Sequence, residues 1–291
     1  MLEPFQYDFF VRGLLAATLV GGLCGLIGVY VVLRRMSYIG HGLAHAIFGG
    51  AVVSYVMSIN FFIGGSLWGF LSALLITLTT RKRKIGADAA IGIITTASFA
   101  LGVALISRFR TFTRSFDAAL FGNINGVSQG DLLAIIVVAA ATVIILFLGY
   151  KLILFTTFDE EVARFYGVPT GWVDTMFSLV LAATIVVSMQ VLGVTLIAAA
   201  IVIPPVVARL MTDSFKDMVV LSTGIGAACG LIGIYVSYFI DVSSGASVVL
   251  FSALLFVLAL VYTNLKGRLF PSTGALPSRG SRNPSSSDLL E

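Results

Sequence analysis

Charged residues are scarce in this chain of 291 residues, because Asp, Glu, Lys and Arg together make up only 11% of it. Soluble domains carry about a quarter, so these charges are too few to cover a water-facing surface. Hydrophobic residues make up 58%, and the mean hydropathy is +1.03. Apolar runs of about 18 residues or more, which span a bilayer as helix, recur along the chain. The composition therefore predicts an all-α polytopic membrane protein with lipid around most of its surface.

Cysteine is nearly absent, and the two that are present, Cys24 and Cys229, fall inside apolar runs. They give neither a disulfide framework nor a metal-ligand spacing, and we interpret them as small buried hydrophobes. The formal net charge of +4 comes from basic residues in short clusters between apolar runs. That distribution is typical of membrane topology and does not predict nucleic acid as a partner.

Nine apolar segments predict membrane spans, at 9–33, 36–59, 61–80, 88–107, 131–155, 172–189, 191–211, 217–240 and 246–265. Lys and Arg collect in alternate connections, which predicts an N-terminus outside and a C-terminus in the cytoplasm. Because the third and seventh segments are short or interrupted by Gly and Pro, eight spans is the alternative. A short surface helix is predicted at about 115–121. Residues 1–265 are then a transmembrane domain, and residues 266–291, rich in Pro, Ser and Gly, predict a disordered cytoplasmic tail.

The two histidines of the chain lie four residues apart, as His41 and His45 in "LRRMSYIGHGLAHAIFGG". Residues at i and i+4 share one face of a helix. The small residues around them let helix backbones approach closely, so the histidines are expected to face protein or a water-filled cavity. One interpretation is a structural pair, hydrogen-bonded to neighbouring helices. The other is a metal path, because ionisable groups are costly inside a membrane and imidazole binds transition metals well.

Two further classes of protein conflict with the sequence. A membrane-embedded metalloprotease of the H-E-x-x-H type needs a glutamate after the first histidine, where this chain has Gly42 in "HGLAH". A secondary transporter driven by an ion gradient usually carries carboxylates within its spans, and these spans hold almost none. The sequence has no G-x-x-x-x-G-K-[ST] phosphate-binding loop, so ATP-driven transport would place the ATPase in another chain. The chain itself is not expected to be an enzyme.

The most polar internal stretch is "FDEEVARFYGVPTGW", residues 158–172. Asp159, Glu160 and Glu161 favour a helix N-terminus, where carboxylates stabilise the dipole. Gly167 and Pro169 indicate the end of that helix. A short helix on the cytoplasmic side is a natural docking element for a soluble partner, and a plain solvated loop is the alternative.

The stretch "VLGVTLIAAAIVIPPVVARLMTDSF" carries Pro204 and Pro205 in mid-span. Two prolines remove two helix hydrogen bonds and predict a break or kink in the helix. Such a break fits a helix that lines a transport pathway. It fits a kinked packing helix equally well.

Three stretches, "VVLRRMSYIGHGLAHAIFGG", "FDEEVARFYGVP" and "VLGVTLIAAAIVIPPVVARLMTDSF", resemble signature stretches of one family in the same order. This is the membrane permease family of bacterial ABC-type importers of zinc, manganese and related divalent metals. The resemblance covers about residues 8–265. It implies a homodimeric permease around a central pathway, in a bacterial or archaeal plasma membrane. It also implies two cytoplasmic ATPase subunits, an extracellular metal-binding protein, and a transported metal ion in place of a permanent cofactor.

The second stretch matches the family's ATPase-coupling loop. The resemblance therefore implies that ATPase docking is carried out by Asp159, Glu160, Glu161, Arg164 and Gly167.

The first stretch matches the family's pathway motif, which commonly reads Gly-Asp-x-x-x-His. His45 falls on the family histidine, and His41 falls where the family usually has aspartate. A nitrogen ligand in place of a carboxylate favours zinc as the transported metal, with manganese a close second and iron a further candidate. Neutral ligands should also bind the ion more weakly and release it more readily, and binding should weaken at acid pH, where imidazole is protonated.

Overall fold

The chain folds into α-helices that pass back and forth across one layer, and the computed structural model describes residues 3–81, 86–109 and 120–269. The α-helices of these residues are α1 (Asp8–Leu33), α2 (Ser37–Val56), α3 (Phe61–Arg81), α4 (Ala87–Phe109), α5 (Gln129–Leu148), α6 (Tyr150–Phe158), α7 (Glu160–Phe165), α8 (Thr170–Leu192), α9 (Ile197–Met211), α10 (Phe215–Ile240) and α11 (Ser244–Leu269). Most of the predicted surface helix at 115–121 lies outside the described residues. Of the predicted tail at 266–291, residues 266–269 belong to α11 and the rest lies outside the described residues.

Eight helices of the described ranges are long and apolar enough to cross a membrane, namely α1 to α5, α8, α10 and α11. The prediction of an all-α polytopic membrane fold is therefore confirmed. The predicted segment 131–155 was wrong as a single span, because the helix is interrupted at Gly149, which ends α5 and precedes the nine-residue α6. The predicted segment 191–211 contains α9, which has only 15 residues.

One end of the bundle, which we call the N-side, is where α1 begins. There the ring of Phe10 in α1 packs against Tyr238 near the end of α10, with centroids 5.2 Å apart. Gly245 in the first turn of α11 packs against the carbonyl of Leu192, the last residue of α8. The helices α8 and α10 therefore end on the N-side, and α11 begins there.

The opposite end of the bundle, the C-side, is where α1 ends. Phe215 at the start of α10 packs there against Tyr30 of α1, with ring centroids 5.7 Å apart. Because α8 ends on the N-side and α10 begins on the C-side, residues 193–211 cross the layer even though α9 is short. The described chain thus makes nine crossings, and α1 begins on the opposite side from the end of α11.

The prolines of α9 lie inside a continuous helix, so of the predicted break or kink, the break does not occur at Pro204 and Pro205. The interruption lies upstream instead, at residues 193–196, where Gly193 has a φ of 76°. The missing N–H of Pro205 leaves the carbonyl of Ile201 without its helical donor. That carbonyl lies directly against Gly28 of α1, so the proline is accommodated by close packing between two helices.

Gly28→Ala is expected to destabilise the fold by about 1–3 kcal/mol, because overpacking a close helix contact forces the backbones apart. A Cβ at this position would overlap the Ile201 carbonyl oxygen and lie 3.0 Å from Cγ of Pro205. Gly224→Ala is the matched control, because a Cβ there meets nothing within 4 Å. Thermal unfolding of the detergent-solubilised variants measures the difference. Equal melting temperatures for the two alanine variants would contradict the described packing of α1 on α9.

Candidate functional site

The two histidines of α2 lie side by side. Their Nε2 atoms are 3.0 Å apart, within hydrogen-bond distance, and one ring donates its proton to the other. The rings are nearly perpendicular, with centroids 4.4 Å apart. His45 also packs edge-on against Phe99 of α4, with centroids 4.8 Å apart. The predicted i, i+4 pair is therefore formed, and the two Nε2 lone pairs can converge on one ion when each neutral ring carries its proton on Nδ1.

The histidine pair occupies the open stripe of an otherwise buried helix. Tyr38 is 55% exposed, His41 and His45 are half-buried, and the intervening residues from Gly42 to Ala44 are buried. This pattern follows helical spacing, since positions 38, 41 and 45 lie on one face. The imidazoles therefore lie on the face of α2 that the rest of the chain leaves uncovered.

Close packing on α4 fixes the rotation of α2. A Cβ at Gly49 would overlap the carbonyl oxygen of Ser98, so the two backbones are in direct contact there. About two turns further back, Gly42 faces Ile91 and Thr95, and a Cβ would lie 2.6 Å from Cγ2 of Ile91. Small residues at such contacts are how helices pack closely in a membrane. They hold the buried face of α2 against α4 and leave the histidines on the open face.

The face of α4 beside the open stripe carries small side chains. Phe99 touches His45, and at 100° per residue the positions that follow Phe99 around the helix on the side away from α2 are Gly92, Val103, Thr96 and Ala100. Thr96 and Ala100 are exposed, and Gly92 is half-buried with nothing within 4 Å of a Cβ. The exposed face of α4 beside the imidazoles thus carries mainly small side chains, which another helix can approach closely.

One protomer supplies only two ligands at this place. Within residues 3–81, 86–109 and 120–269, no group of three or more His, Cys, Asp or Glu side chains could hold a metal ion.

The short helix α7 forms in the polar stretch where the sequence predicted it. Asp159 caps its first turn, with the side chain accepting a hydrogen bond of 2.9 Å from the N–H of Val162. Glu160 and Arg164 form an ion pair one turn apart along the helix. Gly167, with a φ of 81°, ends it. The predicted start and stop of the helix are both confirmed.

The most exposed side chains around α7 are aromatic. Phe165 is 86% exposed and Tyr166 is 73% exposed, with ring centroids 5.7 Å apart. The sequence pointed to the charged residues of this stretch, of which Asp159, Glu160 and Arg164 bond to groups within α7. Exposed aromatic side chains on a helix too short to span a bilayer are typical anchors of a protein interface.

A second charged centre, not predicted from the sequence, lies on the C-side. Arg34 follows the last residue of α1, and its Nη1 donates to Oδ1 of Asp174 in α8 at 2.8 Å. Its Nε donates to Oγ1 of Thr157 in α6 at 3.0 Å, and the guanidinium lies 4.5 Å from the ring centroid of Phe177. Burial lowers the pKa of Arg34, and the nearby carboxylate of Asp174 opposes that shift.

A polar cavity of about 860 Å³ opens beside Arg34. Its wall is built from the C-side ends of α2, α3, α6, α7 and α8. The polar lining includes Thr77, Thr80, Thr156, Thr157, Glu160, Arg164, Asp174 and Ser178. The first turn of α2 is thus separated from α7 by open space, and the Arg34 side chain lies at the edge of that space.

A polytopic helical bundle with an imidazole pair on an open face and a short helix outside the spans is the architecture of a transport permease. The model of the ABC 3 transport family matches residues 6–263. The chain therefore belongs to that family.

Curated relatives and a solved structure agree with this assignment. The chain is 35% identical over 265 residues to a manganese transport system membrane protein, MntC, of Listeria monocytogenes, covering 91% of this chain and 94% of that protein. It is 31% identical over 269 residues to a probable iron transport system membrane protein of Haemophilus influenzae, covering 92% and 95%. A solved structure described as PsaBC from Streptococcus pneumoniae in complex with Fab matches with a TM-score of 0.79 and 32% identity, covering 91% and 97% of the two chains. The prediction of an ABC metal importer permease fold is confirmed.

Proposed function

We propose that this chain is the permease subunit of an ATP-driven importer of divalent transition metals, and that His41 and His45 bind the ion in transit. The observation that carries the proposal is the pair of Nε2 atoms 3.0 Å apart on the open stripe of α2. The relatives named for manganese and iron transport support the substrate class.

The distance between the two nitrogens suits a shared ion. Two imidazoles on tetrahedral zinc, with Zn–N bonds of about 2.1 Å, hold their nitrogens about 3.4 Å apart. The pair needs to open by only a few tenths of an ångström. His45 Nδ1 is buried and donates to no partner in the described part of the chain. A histidine that ligates a metal usually binds it more tightly when its second ring nitrogen donates to a partner. His45 lacks such a partner among the described residues, which favours release of the ion.

Zinc is the ion that this ligand pair favours. Imidazole suits zinc, whereas manganese prefers carboxylate oxygens, and the pathway pair here contains no carboxylate. The names of the relatives concern manganese and iron. We therefore propose zinc as the preferred substrate, with manganese as a second.

A second copy of the chain completes the site. Two imidazoles per copy become four when the open stripes of two α2 helices face each other, which is a full tetrahedral set. The small side chains of α4 at Gly92, Thr96 and Ala100 allow the second copy to approach closely. The pathway then lies on the twofold axis, where a closed dimer interface brings identical residues together.

The C-side faces the cytoplasm in this proposal. Arg34, Arg35, Arg164 and Lys216 lie at that side, as the positive-inside rule requires. Phe165 and Tyr166 then dock a cytoplasmic ATPase subunit, together with the charged residues of α7. The metal-binding protein delivers the ion to the N-side, and ATP turnover in the partner subunits rocks the two permease copies.

Purification from cells that express the whole system, followed by reconstitution, tests this function. The permease should copurify with an ATPase whose hydrolysis is stimulated by the metal-loaded binding protein, and metal should enter vesicles only with ATP. Metal movement by the permease alone, driven by an ion gradient, would instead identify a secondary transporter. Cleavage of a protein substrate by the purified chain would identify a protease.

A further inference from the structure

We propose that Arg34 is a positioning residue that passes the movement of α7 to the histidine pair of α2. The inference rests on the proposed function, because it assigns α7 to the ATPase and the histidines to the ion. It adds a specific connection between them, made by one guanidinium group.

The guanidinium holds both helices that flank α7. Thr157 is two residues before the α7 cap at Asp159, and Asp174 is in the second turn of α8, which follows α7. Arg34 donates to Thr157 through Nε at 3.0 Å and to Asp174 through Nη1 at 2.8 Å. Its planar fork fixes the angle between these two bonds. A displacement of α7 must therefore move the guanidinium or break one of the two bonds.

The backbone of Arg34 is joined rigidly to α2. Three residues separate α1 from α2, and Arg35 among them has a φ of 56°. The N–H of Met36 donates to the carbonyl of Val31 at 3.0 Å, which closes the turn. His41 follows in the second turn of α2. A movement of Arg34 is thus carried into α2, which bears the two histidines, through a hydrogen-bonded turn of only two residues.

The surroundings of Arg34 favour this role over that of a plain surface anchor. Its side chain is only 8% exposed, and that of Asp174 is 29% exposed. Nη2 is buried without a hydrogen-bond partner in the described residues, which is costly for a charged group. The adjoining cavity of about 860 Å³ leaves α7 and the first turn of α2 room to shift.

Thr157→Val and Arg34→Lys test the connection from both sides. Valine keeps the shape of threonine and removes the hydroxyl that Nε contacts. Lysine keeps the charge near Asp174 and removes the fork. Thr156→Val is the matched control, because Thr156 lines the same cavity and bonds the carbonyl of Leu152, as Thr157 bonds that of Ile153.

The measurement is the number of zinc ions taken up per ATP hydrolysed, in proteoliposomes that hold the complete importer. The ratio should fall about 5- to 20-fold in Thr157→Val and Arg34→Lys, the size of a typical coupling between sites. Thr156→Val should keep the wild-type ratio. The double variant should be no worse than Arg34→Lys alone, because Arg34→Lys already removes the bond to Thr157 that Thr157→Val removes.

A general loss of structure would lower uptake and ATP hydrolysis together and leave their ratio unchanged, which would overturn the inference. A wild-type ratio in Thr157→Val would overturn it as well. These outcomes are distinct from failure of the proposed function, in which the wild-type importer itself would move no zinc with ATP.

Discussion

His45→Ala is expected to lower ATP-driven metal uptake about 100-fold or more, since loss of a direct ligand should exceed the 10- to 100-fold effect of its outer partners. In the proposed dimer the change removes two of four imidazoles at once. The side chain is half-buried on the uncovered face of α2, so its removal leaves little cavity in the core. Uptake of zinc into proteoliposomes of the complete importer is the measurement.

Tyr38→Phe is the control for the histidine variant. Tyr38 lies on the same open stripe, with its ring 5.8 Å from that of His41, and phenylalanine retains the ring while removing the hydroxyl. It should transport at a rate close to the wild type. If His45→Ala assembled with its ATPase and took up zinc normally, the histidines would be a structural pair and the ion path would lie elsewhere.

The double variant Phe165→Ala, Tyr166→Ala is expected to lose its ATPase subunit on purification. Anchors of an interface contribute about 2 kcal/mol or more each, so affinity should fall by about 1,000-fold for the pair if the two effects add. Both side chains are more than two-thirds exposed, at 86% and 73%, so the permease itself should melt at the wild-type temperature. The amount of ATPase retained per permease after affinity purification gives the result.

Phe239→Ala provides the control for the docking variant, because Phe239 is 55% exposed and lies near the end of α10 on the N-side. It should retain the ATPase in full. Equal retention by the α7 double variant would show that the aromatic pair does not carry docking and would direct attention to Glu161 and Arg164.

The features that could be predicted from the sequence are those set by local spacing. The histidine pair depends on an i, i+4 relation within one helix, and α7 depends on an acidic start and a glycine stop only eight residues apart. Both are present in the structure. The positions of the spans could be predicted from length and hydropathy. The interruption at Gly149 could not, because apolar residues continue on both sides of it.

The features that could not be predicted depend on contacts between distant parts of the chain. Arg34 and Asp174 are 140 residues apart, and nothing near either of them indicates the other. Pro204 and Pro205 predicted a break or kink, but the helix continues through them, and the freed carbonyl of Ile201 packs against Gly28 of α1. The exposure of Phe165 could not be predicted either, because aromatic residues occur throughout this chain, in buried and exposed positions alike.

The measurement that tests the central claim most directly is the ratio of zinc to manganese taken up by the complete importer, for the wild type and for His41→Asp. If the ion touches residue 41, exchanging an imidazole for a carboxylate should shift the ratio toward manganese by about tenfold, following the ligand preferences of the two metals. A structural role would change the uptake of both metals equally. An unchanged ratio, in a variant that folds and hydrolyses ATP, would contradict the assignment of the histidine pair to the ion path.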